Sequence, residues 1–170
     1  MPLIPVAPPV TVPIYSGFDY VTVDAARRRV YAAHSASQAL TIIDADSGAV
    51  VGQVRVGPLH GVAVDPENGH VFTGNGTDNS VSEVDPTTQK VVRSVDVSGA
   101  VDAIAYDAAR KRIYADEDDG THVYVIDATN MKLIAADMTT LKSMAWRPPM
   151  SIFKMPTLDF PPAPMRFING

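Results

Sequence analysis

Short runs of β-branched and aromatic residues recur along the chain, several alternating with polar residues, and they predict strands. The clearest block runs from Leu59-His-Gly-Val-Ala-Val-Asp65 through Val71-Phe72 and Val81-Ser-Glu-Val-Asp85 to Val91-Val-Arg-Ser-Val95. Within it, Val62, Val64 and Val71 mark one face. The same block precedes it as Phe18–Asp24, Val30-Tyr31, Leu40–Asp44 and Val50–Val54. It follows again as Val101–Asp107, Ile113-Tyr114, Val123–Asp127 and Leu133–Asp137. The aspartates closing the first runs, Asp24, Asp65 and Asp107, lie 41 and 42 residues apart. Those closing the third runs, Asp44, Asp85 and Asp127, keep the same spacing, so the repeat is held at several anchors.

The connectors have hairpin chemistry. Asp65-Pro-Glu-Asn-Gly69 joins two strands, with Pro presetting φ and Gly accepting a positive φ. Asp46-Ser-Gly48 and Pro86-Thr-Thr-Gln89 join the third run to the fourth. No segment shows a sustained helical period with caps. Four short strands in a repeat of this length make the blade of a β-propeller.

The quoted runs resemble the YVTN family of β-propellers, relatives of WD40 and quinoprotein-type propellers. The resemblance rests on Val21-Thr-Val-Asp24, Arg28-Arg-Val-Tyr-Ala-Ala33 and Leu40-Thr-Ile-Ile-Asp-Ala-Asp-Ser-Gly-Ala-Val-Val51 in repeat one. In repeat three it rests on Ala105–Ile134. It covers roughly residues 14–140 and is specific for fold rather than for activity. It implies radial blades, the first strand of each repeat lining a central channel, and a periplasmic or extracellular address.

The expected fold class is therefore all-β: an array of four-stranded antiparallel blades, about three complete and the start of a fourth, forming an incomplete ring. The expected boundaries are a Pro-rich arm at 1–13 and blades at about 18–57, 58–99 and 100–140. A partial blade follows at 141–153, then a Pro/Met-rich tail at 154–170. Proline placement marks the borders, because only Pro58, Pro66 and Pro86 of the 14 prolines lie between the two ends. Leu141–Arg147 aligns with Val101–Asp107 and Ile152-Phe153 with Ile113-Tyr114, after which the pattern is lost. Propellers close with four to eight blades. The expectation is a homo-oligomer that completes the ring, or a marginal fragment with open strand edges. Val10–Ile14 is a candidate outer strand for ring closure.

Composition narrows the function classes. The chain has 170 residues, 46% hydrophobic, enough to bury a core. Its net charge of −5 argues against a nucleic-acid partner. It has no cysteine, which excludes disulfides and thiolate chemistry. No apolar run approaches the roughly 18 residues of a transmembrane helix. The N-terminus has no basic region and its prolines interrupt any apolar helix, so it does not read as a signal peptide.

Candidate site residues follow from register. The positions just before each inner strand hold Asp19, His60, Asp102 and, in the fourth repeat, Lys142, which the propeller reading gathers at the channel mouth. Loops after the second strands open on the same face and add His34, Asn75, Asp78 and Asn79. The alternative for all of these is an ordinary solvated loop residue. The acidic run Asp116, Glu117, Asp118, Asp119 with His122 is a candidate for Ca²⁺ or another metal through oxygen ligands, although its spacing is not that of an EF-hand. Its alternative is a solvated turn. His34, His60 and His122 are also candidates to converge as metal or haem ligands.

The opposite face carries Arg27–Arg29 and Arg110–Arg112, read as docking charges or as solubilising ones. Tyr31, Phe72, Tyr114 and Phe153 recur at the repeat period and read as blade-to-blade packing. No nucleophile elbow, phosphate loop or forced carboxylate pair is present. No cofactor is predicted. The expected function is a non-catalytic binding or scaffold module for a protein or small ligand. The alternatives are a fragment of a quinoprotein- or cytochrome-d1-like redox propeller, and a truncated product without independent function.

Overall fold

The structure, a computed structural model, describes residues 17–136. The arm at 1–13, the Val10–Ile14 strand, the start of a fourth blade at 141–153, Lys142, Phe153 and the tail lie outside the described residues. Three four-stranded antiparallel sheets follow one another, each a meander in chain order. Blade one holds β1 (Phe18–Asp24), β2 (Arg29–His34), β3 (Ala39–Asp44) and β4 (Val50–Arg55), with one 3₁₀ turn at Ser35–Ser37. Blade two holds β5 (Leu59–Val64), β6 (Val71–Asn75), β7 (Ser80–Asp85) and β8 (Lys90–Asp96). Blade three holds β9 (Val101–Asp107), β10 (Arg112–Glu117), β11 (Val123–Asp127) and β12 (Lys132–Ala135). The all-β blade reading is borne out, and each strand falls on its repeated hydrophobic run. No helix among the described residues is long and apolar enough to cross a membrane.

The repeated aspartates work as local turn anchors. In the first hairpins Asp24, Asp65 and Asp107 accept the backbone N–H of Arg27, Glu67 and Arg110 at 3.0, 2.9 and 3.1 Å. Between third and fourth strands, Asp44, Asp85 and Asp127 accept from the N–H of Ser47, Thr87 and Thr129 at 2.9, 2.8 and 2.8 Å. Such Asx turns satisfy orphan amides without help from the rest of the fold. The same hairpins need one left-handed residue each. Gly69 meets this at φ 80, while Arg28 and Lys111 adopt φ 53 and 52 at the equivalent positions.

The core lies between blades. Tyr31, Leu40 and Ile42 on one face of blade one meet Val62, Val71 and Val84 of blade two. Phe72 and Val81 on the next face meet Ile113, Tyr124 and Ile126 of blade three. Phe72 also packs on Tyr106, with ring centroids 5.0 Å apart. Tyr31 and Phe72 are each 1% exposed, so the periodic aromatics are packing residues. On the leading face of blade one, Val21 and Val23 stay 57% and 60% exposed. Their counterparts Val62 and Val64 pack against blade one.

Hydrogen bonds also stitch the blades. Arg27 donates to the carbonyls of Pro66 at 3.3 Å and Glu67 at 2.9 Å in the next blade. Arg93 donates to Thr129 and Ala128 carbonyls at 2.8 and 3.2 Å.

Candidate functional site

First strands pack beside one another, β1 against β5 and β5 against β9. Their starts therefore share one end of the array. The loops after β2, β6 and β10 return to that end, since Phe18 pairs with His34, Leu59 with Asn75 and Val101 with Glu117. Three backbone bonds hold the loops there: Ala36 N–H to Gly17 O, Gly76 N–H to Pro58 O, and Asp118 N–H to Ala100 O, at 3.4, 2.8 and 2.9 Å.

Asp19, His60 and Asp102 are the second residues of β1, β5 and β9, inside the strands rather than before them. Leu59 and Val101, at the first positions, are fully buried and anchor two of the strand starts. Alternation then turns the next residue to the other side. The structure brings the three side chains together: one ligand-type atom from each lies within 4.8 Å of the other two. His60 Nδ1 and Asp19 Oδ2 are 2.7 Å apart.

Two glycines permit this arrangement. A Cβ at Gly61 would sit 2.5 Å from the Asp102 carbonyl oxygen and 2.8 Å from Ile104, so its absence lets β5 lie close against β9. A Cβ at Gly76 would sit 2.6 Å from His60 Nε2. The ring is thus seated with Nε2 against Gly76, and Nδ1 is the nitrogen that meets Asp19.

Negative charge accumulates around Asp102. Asp116 Oδ1 accepts the Ala103 N–H at 2.5 Å, which fixes a further carboxylate beside the group. Burial first, then the charges of Asp116, Asp19 and Asp118, push the Asp102 carboxyl above its ordinary range, against the opposing effect of His60. The Tyr20 hydroxyl reaches Asp102 Oδ2 at 3.5 Å. That hydroxyl is raised too, by Asp102 first, then burial and the neighbouring aspartates.

The other expected residues divide differently. His34 is 1% exposed and stacks on Phe18, with ring centroids 4.3 Å apart, so it is part of the interior and not a rim contact. Asn75 is also 1% exposed. It accepts from Thr73 Oγ1 at 3.0 Å and donates to Ser80 and Ser82 hydroxyls at 3.0 and 2.8 Å, an internal network within blade two. Both were expected in loops, but β2 and β6 run on to include them. Asp78 and Asn79 do sit exposed at a loop tip. Asn79 takes φ 48 there, and its carbonyl accepts the Val97 N–H at 2.8 Å.

The acidic loop of blade three does not assemble a donor set. Glu117 accepts from His122 Nδ1 at 2.6 Å, the Thr121 and His122 amides at 3.1 and 3.3 Å, and the Tyr124 hydroxyl at 3.1 Å. The His122 hydrogen bond first, then those from the Tyr124 hydroxyl and the Thr121 amide, hold the Glu117 carboxyl below its usual range against the opposing effect of burial. Asp119 supplies the left-handed turn residue at φ 53. Among the described residues, metal-type donors converge at Asp19, His60 and Asp102, and not at Asp116, Glu117, Asp118, Asp119 and His122. The expected meeting of His34, His60 and His122 does not form either, because His34 is buried against Phe18 and His122 is tied to Glu117.

At the opposite end, the basic hairpins are largely neutralised within the chain. Arg27, Arg28 and Arg29 pair with Asp24, Asp46 and Asp44, Arg110 with Asp107, and Lys111 with Glu67 of the neighbouring blade. A cavity of about 250 Å³ lies there between blades two and three, lined by Asp65, Glu83, Arg93 and Tyr106 among others. Glu83 is 3% exposed and meets Arg93 Nε and His70 Nδ1, both at 2.7 Å. Tyr106 donates to Asp65 at 3.2 Å. Reading the sequence did not single out this cluster. Its signal is Glu83 itself, a charge in the slot that holds Ile42 and Val125 in the other blades.

No protein-family model matches the chain, and no curated protein matches its sequence. Among solved structures 877 chains match, so the fold is a common one. One of these is the Kuenenia stuttgartiensis hydrazine synthase, with a TM-score of 0.66 and 20% sequence identity over 80% of this chain and 39% of that chain. The chain therefore spans well under half the length of that relative. At this identity the likeness speaks for fold alone. Together with the three four-stranded antiparallel sheets, it fits a partial β-propeller.

Proposed function

We propose that the chain is a non-catalytic propeller-type binding module that takes a cationic ligand on the loop face, at the mouth of the channel. The observation that carries this reading is the convergence of Asp19, His60 and Asp102, one from the equivalent position of each blade. Side chains held by three rigid strands form a preorganised rim, and Asp116 and Asp118 add to its negative charge. Asp78 and Asn79 extend the same face as exposed loop contacts, and Lys142 is the residue that a fourth inner strand would bring to it. The ligand belongs to a small molecule or to a basic group on a protein partner.

Backbone NMR during titration with spermidine tests the reading, with citrate as the anionic control at matched ionic strength. Shifts concentrated at residues 18–20, 60–61 and 102–103, and lost in the Asp19→Asn/Asp102→Asn double variant, support it. Equal shifts with citrate, or none at these positions, refute it.

Ring completion by a second copy is the companion proposal. It rests on Val21 and Val23, exposed on the blade-one face whose counterparts in blade two pack against a neighbouring blade. Sedimentation should show concentration-dependent association that Val21→Lys/Val23→Lys removes. A compact monomer at every concentration sinks it.

A further inference from the structure

We infer that Asp19, His60 and Asp102 form an open three-donor site for a first-row divalent metal ion, with Zn²⁺ preferred to Ca²⁺ and Mg²⁺. This deepens the proposed binding role, on which it rests, by naming the ligand class. The donors are one carboxylate oxygen from each aspartate and Nδ1 of His60, one from each blade.

Geometry comes first. The three donor atoms already lie within 4.8 Å of one another, and His60 Nδ1 is 2.7 Å from Asp19. Metal–donor bonds of about 2.0–2.2 Å hold neighbouring donors roughly 3–3.5 Å apart. Any gap to Asp102 therefore has to close by no more than about 1.5 Å, a side-chain adjustment rather than a backbone one. The alternative is a plain histidine–aspartate pair. That accounts for His60 and Asp19, but it leaves Asp102 crowded against them with, among the described residues, only a 3.5 Å hydrogen bond from Tyr20.

The surroundings favour a dication. The charges of Asp116, Asp19 and Asp118 all bear on Asp102, and His60 is the basic side chain that opposes them there. A metal ion would take the place of the direct His60–Asp19 contact and would balance both ligating carboxylates. Supports for the donors are in place as well. Gly76 seats the imidazole, and Tyr20 reaches Asp102.

The donor chemistry selects the ion. Ca²⁺ and Mg²⁺ take oxygen ligands and gain little from an imidazole, whereas Zn²⁺ and its transition-metal neighbours take mixed nitrogen and oxygen sets. Three protein donors on an open rim leave at least one position for water or for a donor from a bound partner. His122 stands apart from this group: its Nδ1 is bonded to Glu117, and among the described residues no cluster of three metal-type donors forms around it.

The test uses the full chain after chelator treatment, titrated with ZnCl₂ in competition with a chromophoric chelator and, separately, with CoCl₂ by absorption. The expected result is one equivalent of Zn²⁺ per chain, unaffected by excess Ca²⁺, with cobalt bands appearing at the same stoichiometry. His60→Ala and Asp102→Asn should each weaken Zn²⁺ at least tenfold, while His122→Ala and His70→Ala leave it unchanged. Thermal melts of the variants confirm that they are folded. Wild-type affinity in His60→Ala, or equal loss in His122→Ala, overturns the assignment. Absence of Zn²⁺ binding with the spermidine response intact overturns the metal site and leaves the cation-binding role standing. Loss of both responses overturns both.

Discussion

Removing Arg93 gives the sharpest test of how the blades are held together. Glu83 occupies an inter-blade slot with its side chain 4% exposed, and Arg93 lies opposite it on β8 with its side chain 37% exposed. Arg93→Ala strands that carboxylate with His70 as its remaining partner and deletes the donors to the Thr129 and Ala128 carbonyls of blade three. Breaking a fully buried pair costs about 3–5 kcal/mol. Arg93 is partly hydrated and His70 remains, so a discounted value of about 2 kcal/mol is expected here. That corresponds to a fall of roughly 6 °C in Tm.

The repeat itself provides the rescue. Val125 faces Ala135 at the same positions of blade three, and Ile42 faces Gly52 in blade one. Glu83→Val/Arg93→Ala copies the blade-three pair. It should return to within about 1 kcal/mol of the parent, because apolar replacement of a buried ion pair is often neutral. Urea unfolding followed by far-ultraviolet circular dichroism measures both variants. A single variant within about 0.5 kcal/mol of the parent, inside the usual range for surface substitutions, refutes the reasoning. So does a double variant no more stable than the single.

Three further outcomes are expected. Asp102→Asn removes a carboxylate that burial and its neighbours hold in an unfavourable charged state, so Tm should rise by about 1–3 °C at pH 7; since that carboxyl titrates above its ordinary range, the gain should shrink as pH falls and the parent's own Asp102 takes up its proton. Asp44, Asp85 and Asp127 are shifted the other way by their turn hydrogen bonds, so the stability they contribute is present at neutral pH and lost as pH falls through the acid range below about 4, as acid titration of the melting temperature would show. Gly69→Ala combines a φ of 80 with a Cβ that would run into the Arg27 guanidinium, and should cost about 1–2 kcal/mol in the same unfolding assay.

Much of the fold was legible because its signals are local. Asp24, Asp65 and Asp107 bond amides two or three residues away, as do Asp44, Asp85 and Asp127. A turn that closes on itself leaves the same mark in every copy. The candidate site was legible as register, since Asp19, His60 and Asp102 occupy one position of three repeats. His34 and Asn75 were misplaced for a related reason. Strand ends are weakly marked in sequence, and one more ladder pair on each strand carried these residues from an expected loop into the interior. The Glu83 cluster escaped because its partners lie across a strand and on the next blade, at no fixed spacing along the chain.

The chain's own pattern determined the strands, the turns, the blade period and the faces that must be buried, since each depends on residues a few positions apart. Register in the repeat put Asp19, His60 and Asp102 at one end, but tertiary structure decided which of the candidate polar residues come into contact. Asp19 and His60 come within 2.7 Å because β1 and β5 pack side by side, and Asp102 joins them because Gly61 lets β9 approach. Glu117 and His122 are just as prominent in sequence, yet the fold ties them to each other. Convergence of side chains depends on the distance between strands, which no spacing along a single chain records.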